Sequence, residues 1–251
     1  MTVNPRTLAA TGMAFRDQRR RPLLLALLVI VPAYTITYSI AITLATPRRI
    51  GLPGDQVVLT NMKELHGAVM AGNAIAFVAA LCGVFVMQAA LAGDRRLVIA
   101  GFRPGETVIA RLIVLAAATI LVVAVSTAVT ATSFTPAAWP PFVAAALLIG
   151  LIYAALGALA GALLDKLAAT YLMLFLALTD LGIVQNPMFG TGTPRWWAAL
   201  LPGYGPGRVM VDGAFSPVFH AAGALVIAVG WATALAVVVS WVLRRAVGTR
   251  A

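Results

Sequence analysis

Six stretches of this chain, residues 23–44, 67–92, 112–131, 142–164, 167–183 and 218–243, run for 17 to 26 residues each, and Asp180 in the fifth is the only formally charged residue inside any of them. A helix rises 1.5 Å per residue, so about 20 residues cover the roughly 30 Å of hydrocarbon in a bilayer. In hydrocarbon every backbone N–H and C=O must be paired within its own segment, and isolated spans can meet that demand only as helices. The expected fold is therefore all-α, a polytopic membrane protein built as one domain over residues 1–251 with six transmembrane helices. Composition agrees: 61% of residues are hydrophobic and 10% charged, too few charges to cover the surface of a water-soluble domain.

The net charge of +10 comes from 16 Arg and two Lys. These residues sit at the ends of the apolar runs and form no stripe with interleaved aromatics, so they read as topological signals and no nucleic acid is expected as a partner. Thirteen of them fall on the side of the two termini and five, Arg48, Arg49, Lys63, Arg195 and Arg208, on the other. By the positive-inside rule both termini are expected in the cytoplasm, with the chain in the plasma membrane and the lipid bilayer as its surroundings. The single cysteine, Cys82, lies within an apolar run, which leaves no internal disulfide and no thiol-rich metal site.

Before the first span, Asn4-Pro5 predicts an N-cap and first helical residue, opening a helix with Leu8, Gly12 and Phe15 on one side and Arg19-Arg20-Arg21 at its end. Such a helix suits the inner membrane interface. Pro32 predicts a kink in the first span. Gly157 and Gly161, four apart in the fourth span, predict close approach of another helix backbone. Asp165-Lys166 reads as a two-residue turn between the fourth and fifth spans. The segment before the last span carries Trp196, Trp197 and Tyr204 among several Pro and Gly, and is expected to enter the outer interface as short broken helices.

Signatures of chemistry are missing. The sequence contains no Gly-x-x-x-x-Gly-Lys-Ser/Thr, His-Glu-x-x-His, Gly-x-Ser-x-Gly or Cys-x-x-Cys, so no cofactor or metal is expected in this chain and any ATP must be bound elsewhere. Its two histidines, His66 and His220, stand at outer span ends.

The connection between the second and third spans is the most specific feature. It runs Gly93-Asp94-Arg95-Arg96-Leu97-Val98-Ile99-Ala100-Gly101-Phe102-Arg103-Pro104-Gly105-Glu106-Thr107 and re-enters the membrane at Arg111. The pattern predicts a small amphipathic helix with a hard stop at Gly101 and Pro104, and apolar residues on a cytosolic turn call for a partner surface. With Leu97, Ala100, Gly101, Arg103, Pro104 and Arg111 in this order, the chain resembles the membrane subunits of ABC-2 type transporters, exporter permeases that pair with a separate ATPase. The resemblance extends to the basic helix before the first span, the six spans and the long outer segment. It implies a coupling helix seated on cytosolic ABC ATPase subunits that hold ATP and Mg²⁺. Leu97 and Phe102 would be its anchors, Arg95, Arg96 and Arg103 its rim, and Gly101 and Pro104 its stop, with Ala100 and Glu106 completing the segment. It also implies a second permease, identical or homologous, and export of a drug or lipid.

A substrate path has two candidate places. Asn73, Phe77, Ala80, Val84 and Gln88 fall on one arc of the second span, suited either to lining a cavity or to bonding a neighbouring helix. Asp180 suits either the pathway or a place just within the outer interface near Gln185 and Asn186. Two other readings stand beside the exporter. One is an intramembrane enzyme or cofactor carrier built on His66, His220 and Asp180; the other is a stand-alone secondary carrier, for which the sequence shows no convincing repeat.

Overall fold

The computed structural model describes residues 5–54, 56–189 and 196–248. Asn4, Arg195 and Arg250, used above for a cap and for the charge count, lie outside the described residues. Helix α1 (Pro5–Arg19) precedes α2 (Pro22–Ile42), strands β1 (Pro47–Leu52) and β2 (Gln56–Asn61), α3 (Met62–Ile99), α4 (Pro104–Ala131) and α5 (Trp139–Leu163). Then follow α6 (Lys166–Ala177), which continues as a π-helical segment (Leu178–Val184), a 3-10 turn (Trp196–Leu200), α7 (Tyr204–Phe215) and α8 (Ala222–Gly248). Among the described residues, six helices are long and apolar enough to cross a membrane. The chain is an all-α polytopic membrane protein with one small sheet.

The spans coincide with the apolar runs, but their ends move. Helix α3 is 38 residues long, about 57 Å at the α-helical rise, and so extends well beyond the hydrocarbon. Pro32 lies inside α2 without ending it, and the Thr35 hydroxyl donates to the Val31 carbonyl at 2.8 Å. Lys166 is already helical: Asp165 caps α6, accepting from the Leu167 and Ala168 N–H groups at 2.9 and 3.0 Å. The last span starts at Ala222, not at 218.

Helices α3 and α5 form the centre. Gly83, Gly157 and Gly161 bring their backbones into contact: a Cβ on Gly161 would stand 2.6 Å from the Val84 carbonyl oxygen, and one on Gly83 2.7 Å from the Ala158 nitrogen. The small-residue spacing in α5 thus meets α3. Around this pair the core is filled by Ile75, Val84, Met87, Phe142, Ile149 and Ile152. Of the six spans, α3 is the most enclosed and α8 the least.

Between α2 and α3, where hydropathy assigns no element, lies an antiparallel hairpin with Ile50 opposite Val58 and Leu52 opposite Gln56. Gly54 turns it with φ +79°, a conformation that favours glycine. Ile50 and Leu52 are buried against Leu65 and Val69 of α3, so the hairpin caps the end of the bundle where α3 begins.

Of the segment before α8, the described residues from Trp196 on form a 3-10 turn and the short helix α7, and they reach into the helix bundle. Gly203, at the start of α7, stands beside the Asp180 carboxylate, which the Tyr153 hydroxyl also contacts. Tyr153 is 14 residues along α5 from Trp139, about 21 Å. From there α7 runs back toward the start of α5: Met210 packs on Gly72, and Ala137 and Ala138 donate backbone hydrogen bonds to Ala214 and Gly213 at its end.

Candidate functional site

On the side of the termini, the chain turns back at the end of the α3–α4 hairpin. Helix α3 does not break after its span, so no separate coupling helix exists: Arg95 to Ile99 form its last turn. Gly101, with φ +94°, ends it, the Phe102 N–H donating to the Leu97 carbonyl and the Gly101 N–H to the Val98 carbonyl, both at 3.0 Å. This is a Schellman stop, which the glycine makes possible. Arg103 is extended and precedes Pro104, the first residue of α4. Its N–H donates to Glu106 Oε2 at 2.9 Å, so Glu106 satisfies a helix-start donor and is buried.

An ion-pair network braces the hairpin from behind. Arg111 grips Asp94 with two nitrogens, Nη2 to Oδ1 at 2.8 Å and Nε to Oδ2 at 3.1 Å, with both side chains nearly enclosed. The fork geometry and the charge on both partners make such bonds stronger than neutral ones. Arg111 also lies 3.9 Å from Asp17 of α1, which pairs with Arg21 at 3.4 Å. At the other end of α1, Arg6 donates to the Gly101 carbonyl at 3.3 Å. Helix α1 therefore runs along the first turns of α4. It buries Ala10, Ala14 and Gln18 there, while Leu8, Gly12 and Phe15, the face assigned above to the membrane interface, stay exposed.

This arrangement sorts the coupling residues. Arg95 donates its Nε to the Ala246 carbonyl of α8 at 3.2 Å. Leu97 and Phe102 are half-buried, Phe102 against the core, and therefore serve as packing groups and not as free anchors. Pro104 and Glu106 start α4. Arg96, Ile99, Ala100, Gly101 and Arg103 remain exposed at the tip, Ile99 at 74%. Ile99 is the apolar residue that faces outward; the run Leu97-Val98-Ile99 signalled it, and helical phase decides which of the three points away.

The arc on α3 is a helix-packing face. Ala80 and Val84 are fully buried, with their carbonyls against Gly157 and Gly161. Gln88 donates to the Leu164 carbonyl at 3.3 Å, Phe77 packs on the core, and Asn73 lies near Gly182 with its Oδ1 buried and without a hydrogen-bond partner.

Asp180 is 1% exposed. Its Oδ2 accepts from Tyr153 Oη at 2.7 Å and from the Gly203 N–H at 2.8 Å, and its Oδ1 accepts from Gln185 Nε2 at 3.3 Å. Gln185 in turn donates to the Ala198 carbonyl at 2.9 Å. A Cβ on Gly203 would stand 2.8 Å from Asp180 Oδ2, so only glycine lets this backbone reach the carboxylate. Asp180 is thus a tie among α5, the π-helical segment and the start of α7, with Gln185, the neighbour expected from the sequence, among its donors. Sequence reasoning did not single out Tyr153 or Gly203 as its partners.

His220 and Asp180 share no partner. His220 Nε2 meets Gln56 at 3.1 Å, and its Nδ1 lies 3.4 Å from Ser216 Oγ and 3.7 Å from Asp212 Oδ1. Because serine and aspartate face the same ring nitrogen, this is not the relay of a serine hydrolase, which needs one on each nitrogen. Asp212 ties α7 to the residues just before α8, accepting from the His220 and Ala221 N–H groups. Among the described residues no group of three His, Cys, Asp or Glu is placed to hold a metal. No protein-family model matches this chain, and no curated protein is significantly similar to it.

Proposed function

We propose that this chain is the membrane-spanning permease subunit of an ATP-driven exporter of the ABC-2 type, moving a lipophilic or amphipathic compound such as a drug or lipid outward across the plasma membrane. Both termini are cytoplasmic, ATP and Mg²⁺ reside on a separate ATPase, and a second permease, identical or homologous, completes the pathway. The observation that carries this reading is the α3–α4 tip. It exposes an isoleucine among arginines on a turn stopped by Gly101 and held by the Asp94–Arg111 fork and by α1. An exposed apolar residue ringed by cations on a braced support suits docking on a protein surface, and a continuous α3 would carry a push at the tip into the central helix pair. The enzyme reading loses support because His220 and Asp180 sit in separate hydrogen-bond networks.

Ile99→Asp combined with Arg96→Glu alters only exposed positions. The variant is expected to insert and melt like wild type while co-purification of the ATPase from native membranes, or substrate-stimulated ATP hydrolysis, falls at least about tenfold, as for loss of interface hot spots. Normal co-purification and normal stimulated hydrolysis would overturn the assignment. Orientation is checked separately. In a Cys82→Ser background, Val57→Cys on the outer hairpin should react with an impermeant thiol reagent on intact cells, and Ala100→Cys only after the membrane is opened. Labelling of both on intact cells would reject the six-span topology.

A further inference from the structure

On the outer side, the β-hairpin, the first turn of α3, the α4–α5 connection and the end of α7 enclose an open cleft of about 510 Å³. Glu64, Thr60, Thr135, Pro47, Phe134 and Phe215 are among its walls. Phe134 and Phe215 contact each other, ring centroids 5.5 Å apart and tilted by 39°. Glu64 reaches only the Thr60 hydroxyl, at 3.4 Å, and forms no ion pair among the described residues. Its place in the first turn of α3 accounts for an acidic residue there. It does not account for an unneutralised carboxylate sharing a cleft with an aromatic pair on an otherwise cationic protein. The cleft stays open to solvent, and its apolar walls with a few polar groups are the composition of small-molecule sites.

We infer that this cleft binds a lipophilic organic cation, with Glu64 opposing the positive centre and Phe134 and Phe215 receiving its apolar groups. A carboxylate supplies charge selectivity, aromatic walls supply area and attraction for a cation, and the exposed Thr135 leaves the mouth polar. A neutral lipid would leave the carboxylate without a counter-charge, and an anion would be repelled by it. This site does not rest on the exporter proposal, since nothing in it requires an ATPase.

The test uses the full chain in nanodiscs with tetraphenylphosphonium as probe and tetraphenylborate, of similar shape and opposite charge, as control. Saturable binding of the cation and none of the anion is expected. Glu64→Gln should weaken the cation by about tenfold or more, the loss expected from one partly desolvated charge contact. Thr135→Lys, at an exposed wall position, should do the same by placing a competing charge in the cleft while leaving the fold intact. Size-exclusion profile and melting temperature establish that each variant is folded. Equal binding of the two probes, or wild-type affinity for the cation in either folded variant, would overturn the site.

Discussion

Gly157→Val is expected to yield no folded protein. A Cβ at Gly157 falls on the Ala80 carbonyl, and the flanking contacts, Gly161 with Val84 and Gly83 with Ala158, are also backbone to added carbon. Side chains can rotate away from an added methyl group, but a helix backbone can yield only by separating from its neighbour. Here that would open the central α3–α5 pair. Overpacking of ordinary cores costs about 1–3 kcal/mol, and a site closed by backbone on both sides should exceed that range. Gly12→Val on α1, where nothing lies within 4 Å, is the matched control. Fluorescence-detected size exclusion should show a monodisperse peak for the control and aggregate for Gly157→Val. A monodisperse Gly157→Val protein melting like wild type would mean that these helices are not in contact.

Asp180→Ala should lower the melting temperature by an amount on the order of 10 °C, because three donors lose their acceptor at once. Tyr153 Oη is fully buried and the Gly203 N–H is held against the carboxylate, and each buried group left unsatisfied costs about 1–3 kcal/mol. Asp180→Asn should be far milder. Its remaining oxygen can serve Tyr153 and Gly203, while its NH2 group opposes Gln185 Nε2. Turning the Gln185 amide to suit would give up the bond to Ala198, so about one hydrogen bond, roughly 0.5–1.5 kcal/mol, is lost. The expected order of melting temperature is wild type, then Asn, then Ala. Equal melting of Asp180→Ala and wild type would remove the tie, and export lost by Asp180→Asn without any change in melting would return Asp180 to the pathway.

Which parts of this protein were legible in its sequence follows from the range of the forces involved. Transfer of apolar segments from water is a local property, and the six spans could be read from hydropathy alone. The stop at Gly101 was readable too, because it depends on the φ angles of a few adjacent residues, whereas Asp165, expected in a turn, caps α6. The Pro53-Gly54 turn signal is also present, with Ile50 and Leu52 alternating before it, but two strands of six residues leave no run of span length for hydropathy to mark. Partners were not legible. The spacing of Gly157 and Gly161 announces a close neighbour, but only packing chooses Ala80 and Val84. The arc from Asn73 to Gln88 announces a shared face, but not that α5 covers much of it. Helix α3 continues through Asp94-Arg95-Arg96, where hydropathy ends the span, because Arg111 holds Asp94 and α8 receives Arg95. Asp180 was visible as a charge in hydrocarbon. Its role was decided by Tyr153, 27 residues before it, and Gly203, 23 after it, since a buried carboxylate takes its meaning from donors that only the folded chain brings within reach.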